Sequence, residues 1–90
     1  MLTKVTEFKF LDDFRIAVWF SNGTQGTHDF SALIATGGSA VAPLIDADYF
    51  RRGFLEFGAL TWPNGFDVSP AWLRREMETA GELQQVAAAE

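Results

Sequence analysis

The sequence predicts an α+β domain: a small, mostly antiparallel sheet of two β-hairpins, about 4-5 strands in all, packed against a C-terminal helix, with short helices near 31-36 and 47-52. Three observations predict it. Phe14, Ile16, Val18 and Phe20 alternate with Arg15, Ala17 and Trp19, the period of a half-buried strand. Residues 62 to 70, Trp-Pro-Asn-Gly-Phe-Asp-Val-Ser-Pro, end a strand, turn the chain and start a helix. Beyond them, Leu73, Met77 and Ala80 recur at the i, i+4, i+7 spacing of one helix face, with Trp72 beside them.

In chain order, Thr6, Phe8 and Phe10 share one parity and Val5 and Leu11 the other, which predicts an edge strand with a bulge. Asp12-Asp13 breaks it. Asn22-Gly23 closes the next hairpin as a two-residue turn, with Ser21 opposite Thr24, Trp19 opposite Gly26, and Val18 and Phe20 opposite Thr27 and Gln25. In that register the indole of Trp19 covers a glycine, and the returning strand is a polar sheet margin. Asp29 or Ser31 caps a short helix that Gly37-Gly38 ends. Val41 to Ile45 is apolar but holds Pro43, so a buried turn is expected, and Asp46 or Asp48 then caps Tyr49 to Arg52. Two short strands broken at Gly58 follow and are expected to extend the sheet.

The stretch from Trp62 carries the densest local instructions. Pro63 fixes its own φ and pushes Trp62 to an extended conformation; Asn64-Gly65 accepts a tight turn. Phe66 turns inward, Asp67 bonds nearby N–H groups, and Ser69-Pro70 reads as an N-cap followed by proline in the first helical position. The helix runs to Gly81. Residues 1-81 make one domain, and the 82-90 tail, with only Leu83 and Val86 as apolar anchors, is expected to fray.

Composition removes several function classes. Nine Phe, three Trp and one Tyr give the apolar core much of its area. The lack of cysteine excludes disulfides, thiol catalysis and thiolate-bound zinc. Charges near the N-terminus interrupt any secretory signal, no window is long and apolar enough for a membrane span, and the chain is expected in the cytoplasm. A net charge of −5 repels phosphate backbones, so nucleic acid is not expected as a partner of this chain alone.

A resemblance then enters. The order Val18-Trp19-Phe20-Ser21-Asn22-Gly23, Asp29-Phe30-Ser31, Ala42-Pro43-Leu44, Asp46-Ala47-Asp48-Tyr49-Phe50 and Trp62-Pro63-Asn64-Gly65-Phe66-Asp67 resembles the bacterial domain-of-unknown-function family 2442, over roughly residues 5 to 75. The resemblance implies a small α+β domain, standing alone or joined to a helix-turn-helix, often encoded beside another small protein in a toxin-antitoxin-like arrangement. It assigns no catalytic residue. Gln25 and Thr27 depart from a strand that is usually apolar in the family, and the residues after Gly81 are too few for an appended helix-turn-helix.

Candidate chemistry is sparse. His28-Asp29 is the one histidine-carboxylate neighbour pair, yet adjacent strand residues point to opposite faces, and a strand-end His beside a helix-capping Asp accounts for both. No spacing among His28, Asp29, Asp46, Asp48 and Asp67 matches a metal motif, and Gly37-Gly38-Ser39 lacks the lysine of a phosphate loop. Arg51-Arg52 and Arg74-Arg75 would read phosphate or an acidic partner if the fold gathered them; two solvated helix faces is the simpler reading. The expectation is a non-enzymatic protein-interaction or regulatory domain without a cofactor, engaging a protein partner or forming a homodimer. Its candidate interaction residues are Trp62, Asn64, Asp67, Trp72, Arg74 and Arg75. The alternative is a small-molecule sensor with a pocket near Trp62, Phe66 and Trp72; an enzyme using His28 and Asp29, with Asp67, is third.

Overall fold

The computed structural model describes residues 2–86. Strands β1 (Val5–Phe10), β2 (Arg15–Phe20) and β3 (Thr24–Asp29) form an antiparallel meander. Helix α1 (Ser31–Ala35), a 3₁₀ turn (Ala42–Ile45) and helix α2 (Ala47–Phe50) follow. Strands β4 (Phe54–Glu56), β5 (Ala59–Thr61) and β6 (Asp67–Val68) lead into helix α3 (Pro70–Thr79), and β7 (Gln84–Gln85) closes the described chain. The α+β class and the three helical segments stand where the sequence pattern put them. The second hairpin does not extend the first sheet, however. It recruits Asp67-Val68 into a three-stranded sheet of its own, and the four-stranded sheet has the order β1-β2-β3-β7. A two-residue strand beside Leu60 and Thr61 is too short to show a period, which is why the sequence conceals it.

The bulge in β1 lies between Val5 and Glu7, on the edge strand, and explains its split parity. The first hairpin differs from expectation by one residue. Trp19 faces Gln25, Val18 faces Gly26 and Ile16 faces His28. Asn22-Gly23 does not form a two-residue turn; the Gly23 N–H donates to the Phe20 carbonyl (3.1 Å), Gly23 takes φ 89°, and three residues connect the strands. Asn22 Oδ1 accepts from the Thr24 N–H (3.1 Å). The corner at Trp62 repeats this design: Gly65 N–H donates to the Trp62 carbonyl (2.9 Å), Gly65 takes φ 89°, and Asn64 Oδ1 accepts from Phe66 N–H (3.1 Å). Asparagine bonds the backbone two residues on in both, and glycine supplies the left-handed step.

The shifted register corrects the role given to Trp19. Its indole lies on the outer face of the sheet with Glu7 and Gln25, while Gly26 points into the molecule opposite Val18. What covers Gly26 is the end of α3. A Cβ at position 26 would run into the Glu82 carbonyl and the Met77 methyl. Helix α3 stops in a Schellman motif, Glu82 N–H bonding the Met77 carbonyl (2.8 Å) and Gly81 N–H the Glu78 carbonyl (3.1 Å). The chain thus reverses directly over the bare backbone of β3. Gln84 and Gln85 pair with Gln25 and Thr24, Leu83 packs on the core, and Val86 N–H donates to the Gly23 carbonyl (2.8 Å). Of the tail expected to fray, residues 82–86 lie against β3 and the core in this way; 87–90 lie outside the described residues.

Inside, Val5, Ile16, Val18, Phe20, Phe30, Ile34, Leu44, Phe50, Leu60, Trp62, Val68, Leu73 and Met77 form one cluster between the two sheets and the helices. Phe50 is its hub, edge-on to Phe10 (5.6 Å) and Phe14 (5.1 Å) and tilted against Phe30 (6.2 Å) and Trp62 (5.8 Å). At the far end of the second sheet the β4–β5 turn puts Phe57 at φ 52° and Gly58 at φ 80°, a type I′ pair with a phenylalanine where asparagine is usual. Phe57 is 92% exposed, so no packing offsets its backbone strain.

Two outcomes follow from these contacts. Phe57→Asn relieves the left-handed penalty and raises stability by about 1 kcal/mol, seen as a Tm gain of roughly 4–8 °C. Gly26→Ala inserts a methyl against the Glu82 carbonyl and lowers the urea midpoint, by about 1–3 kcal/mol in stability, with faster amide exchange at Val86.

Candidate functional site

Helix α3 has Leu73 and Met77 fully buried, and this fixes what its flanks present. Arg74 and Glu78 occupy one flank as an i,i+4 ion pair (3.1 Å). Trp72 and Glu76 occupy the other, facing α1. Trp72 is 37% exposed and sits between two adjoining clefts. One, of about 350 Å³, is lined by Leu33, Phe66, Asp67, Val68, Ser69 and Trp72. The other, of about 260 Å³, runs past Trp72 and Leu33 to His28, Asp29, Thr36 and Glu76. Ser69 holds the first turn of α3 by accepting from the Trp72 N–H (3.3 Å), so the indole starts from a capped helix end.

The candidate residues separate cleanly. Trp62 is 0% exposed, and its indole N–H donates to the Phe50 carbonyl (2.8 Å). It belongs to the core and is unavailable either to a partner or to the proposed sensor pocket. Phe66 lies tilted against it at 6.0 Å and forms the cleft wall in its place. Asn64 is spent on architecture: its Nδ2 donates to the Ala40 carbonyl (2.9 Å), and its backbone N–H donates to the Tyr49 hydroxyl (2.9 Å). Asp67 and Trp72 line one cleft together, while Arg75 is exposed on the solvent side of α3. Three of the four arginines at 51, 52, 74 and 75 have separate engagements: Arg51 donates to the Leu11 carbonyl (2.6 Å), Arg52 lies 5.7 Å over the Tyr49 ring, and Arg74 holds Glu78.

His28 and Asp29 line the same cleft but do not bond each other. Asp29 accepts from the Ser31 N–H (2.8 Å), and that bond, with the neighbouring His28 and Arg15, holds its carboxyl below the usual aspartate value. His28 Nδ1 instead meets Glu82 Oε1 at 2.8 Å, and its ring stands edge-on to Phe30 at 4.9 Å. Sequence reasoning missed Glu82 because 54 residues separate the partners. The signal was Gly81, whose cap sends the next residue back over β3. No group of three His, Cys, Asp or Glu side chains converges as a metal cage among the described residues.

The His28–Glu82 contact fastens the segment after α3 to β3. His28→Ala removes a largely buried ring as well as its bond to Glu82 and should lower global stability by about 1–3 kcal/mol, with quickened amide exchange at Gln85 and Val86 in a hydrogen-exchange measurement.

Residues 5–79 match the model of a family described as Protein of unknown function (DUF2442). No curated protein and no solved structure matches. With the Trp62-to-Asp67 corner and the hairpin before it inside the matched span, the chain belongs to the DUF2442 family.

Proposed function

We propose that this domain is a non-enzymatic protein-interaction or regulatory module that engages a partner protein, or a second copy of itself, through the face centred on Trp72. The observation that carries the reading is a tryptophan left more than a third exposed between two open clefts, in a chain whose Trp62 and Phe50 are sealed inside. Tryptophan concentrates binding energy when a partner removes it from water, and Leu33 and Phe66 supply apolar walls on either side. Asp67 remains from the sequence-derived set as a cleft residue, with Arg75 outside the clefts; Trp62 and Asn64 leave it. A neighbouring gene product in a toxin-antitoxin-like pair, within the cytoplasm, would be a partner of the required kind.

A small-molecule sensor is the second reading. It is favoured by the cleft between Phe66 and Trp72, whose 350 Å³ reaches the lower part of the range for ligand pockets.

Trp72→Ala is the test. The variant should keep the wild-type amide fingerprint, including the buried Trp62 indole N–H, while losing the protein captured from the native cell or, for a homodimer, the concentration-dependent light scattering. Capture or self-association undiminished in Trp72→Ala would remove this face from the proposal.

A further inference from the structure

The chemistry around Trp72 selects among partners. The two clefts that share it are lined by three carboxylates, Asp67 in one and Asp29 and Glu76 in the other, and by no lysine or arginine. His28, which lines the second cleft with Asp29 and Glu76, is engaged by Glu82. Arg15, across the strand pair from Asp29, binds Asp12; Arg74 holds Glu78 on the opposite flank of α3; and Arg75, next to Glu76 in sequence, is exposed and lines neither cleft. Asp67 and Glu76 have no side-chain hydrogen bond or ion pair among the described residues. They add negative potential to a chain already at −5, and their carboxylates make no hydrogen bond or ion pair that holds the described fold together.

We propose that the segment docking on this face is basic, a stretch of a partner protein that lays a lysine or arginine over the Trp72 indole between Glu76 and Asp29 on one side and Asp67 on the other. The proposal rests on the interaction reading above and names the chemistry of its partner. An indole face attracts a cation through its quadrupole, and most strongly when flanking groups desolvate it. The carboxylates on both sides raise the local concentration of a basic segment and fix where its charges fall. An acidic segment meets three like charges at the same place, so the face discriminates by repulsion as well as attraction. Leu33 and Phe66 leave room for an apolar neighbour of the cation, which separates a docked segment from diffuse counter-ion binding.

The experiment is a nuclear magnetic resonance titration of the full chain with three synthetic nonapeptides of one Gly-Ser-Leu framework, carrying three arginines, three glutamates or no charge. Arginine amide is a fourth probe. The arginine peptide should give saturable shifts centred on the Trp72 indole and the Leu33 amide. Binding should weaken about tenfold or more in Trp72→Ala, in line with the larger cation–π and hot-spot effects. It should also weaken in the double variant Asp67→Asn with Glu76→Gln, and as salt shortens the screening length. Trp72→Phe keeps part of the affinity and guards against a packing artefact, with the Trp62 indole signal reporting the fold.

Arginine-peptide binding that survives both variants is adsorption to a general acidic surface and overturns the inference. Glutamate or neutral peptide binding at Trp72 in its place overturns the basic partner and leaves the interaction reading standing. Arginine amide binding as tightly as the peptide overturns the protein segment in favour of the sensor. Should no probe shift the face, and native capture be indifferent to Trp72, both readings fall together.

Discussion

The bond from the Trp62 indole N–H to the Phe50 carbonyl is the fastening on which the rest of the molecule depends. It is buried, so losing it would strand a polar group away from water at about 1–3 kcal/mol. It also joins the helical layer to the corner of the second sheet. Phe50 belongs to a single turn of helix, and its ring collects Phe10 from the first sheet, Phe14 from the turn between β1 and β2, and Phe30 from the entry to α1. Trp62 leads the corner of the second sheet. Tyr49 and Ala40 then receive the N–H groups of Asn64, so the corner is held against the helical layer from three directions. Gly53 completes the fit, since a Cβ there would press on the indole at 3.0 Å.

The surface follows from that fastening. With the corner pinned, β6 pairs Val68 with Leu60, and Ser69 opens α3 at a defined place and angle. Leu73 and Met77 enter the core, which turns Trp72 and Glu76 toward α1 and Arg74 toward solvent and Glu78. Ten residues of helix later, the glycine cap lays Glu82 over Gly26 and beside His28. One corner therefore sets both the exposed tryptophan and the only described contact of the histidine with a carboxylate.

Much of this was legible in the sequence because the instructions are local. Alternation in β2, the caps at Asp46 and Ser69, and the stop at Gly81 each act within a few residues of the groups they satisfy. What was not legible depends on tertiary competition. Asn22-Gly23 is compatible with two-residue and three-residue turns, and the choice of the latter moves every pairing by one, taking Gly26 from under Trp19 to under Glu82. Trp62 opens the 62–70 stretch, and Trp72, the same residue type, lies two residues beyond its end. Only the acceptor offered by Phe50 buries the first, and nothing local marks that acceptor. Phe57 in a left-handed turn contradicts its own preference, so no propensity argument finds it.

The polar groups sort the surface into architecture and remainder. Asn64, Asp46, Asp29, Asn22 and Ser69 each accept a backbone N–H within three residues, and Asn64 reaches Ala40 as well. Replacing any of them disturbs a turn or a helix start, so a lost interaction would say nothing about recognition. Asp67, Glu76 and the Trp72 indole do none of this. Their side chains lie where the backbone is already satisfied, by the β5–β6 pairing for Asp67 and by the helix for the other two. Functional substitutions in this domain are therefore interpretable at positions 67, 72 and 76, and confounded by folding at positions 62 and 64. That distinction comes from counting where each hydrogen bond goes, and motif membership alone reverses it, because the motif's tryptophan and asparagine are the two residues the fold consumes.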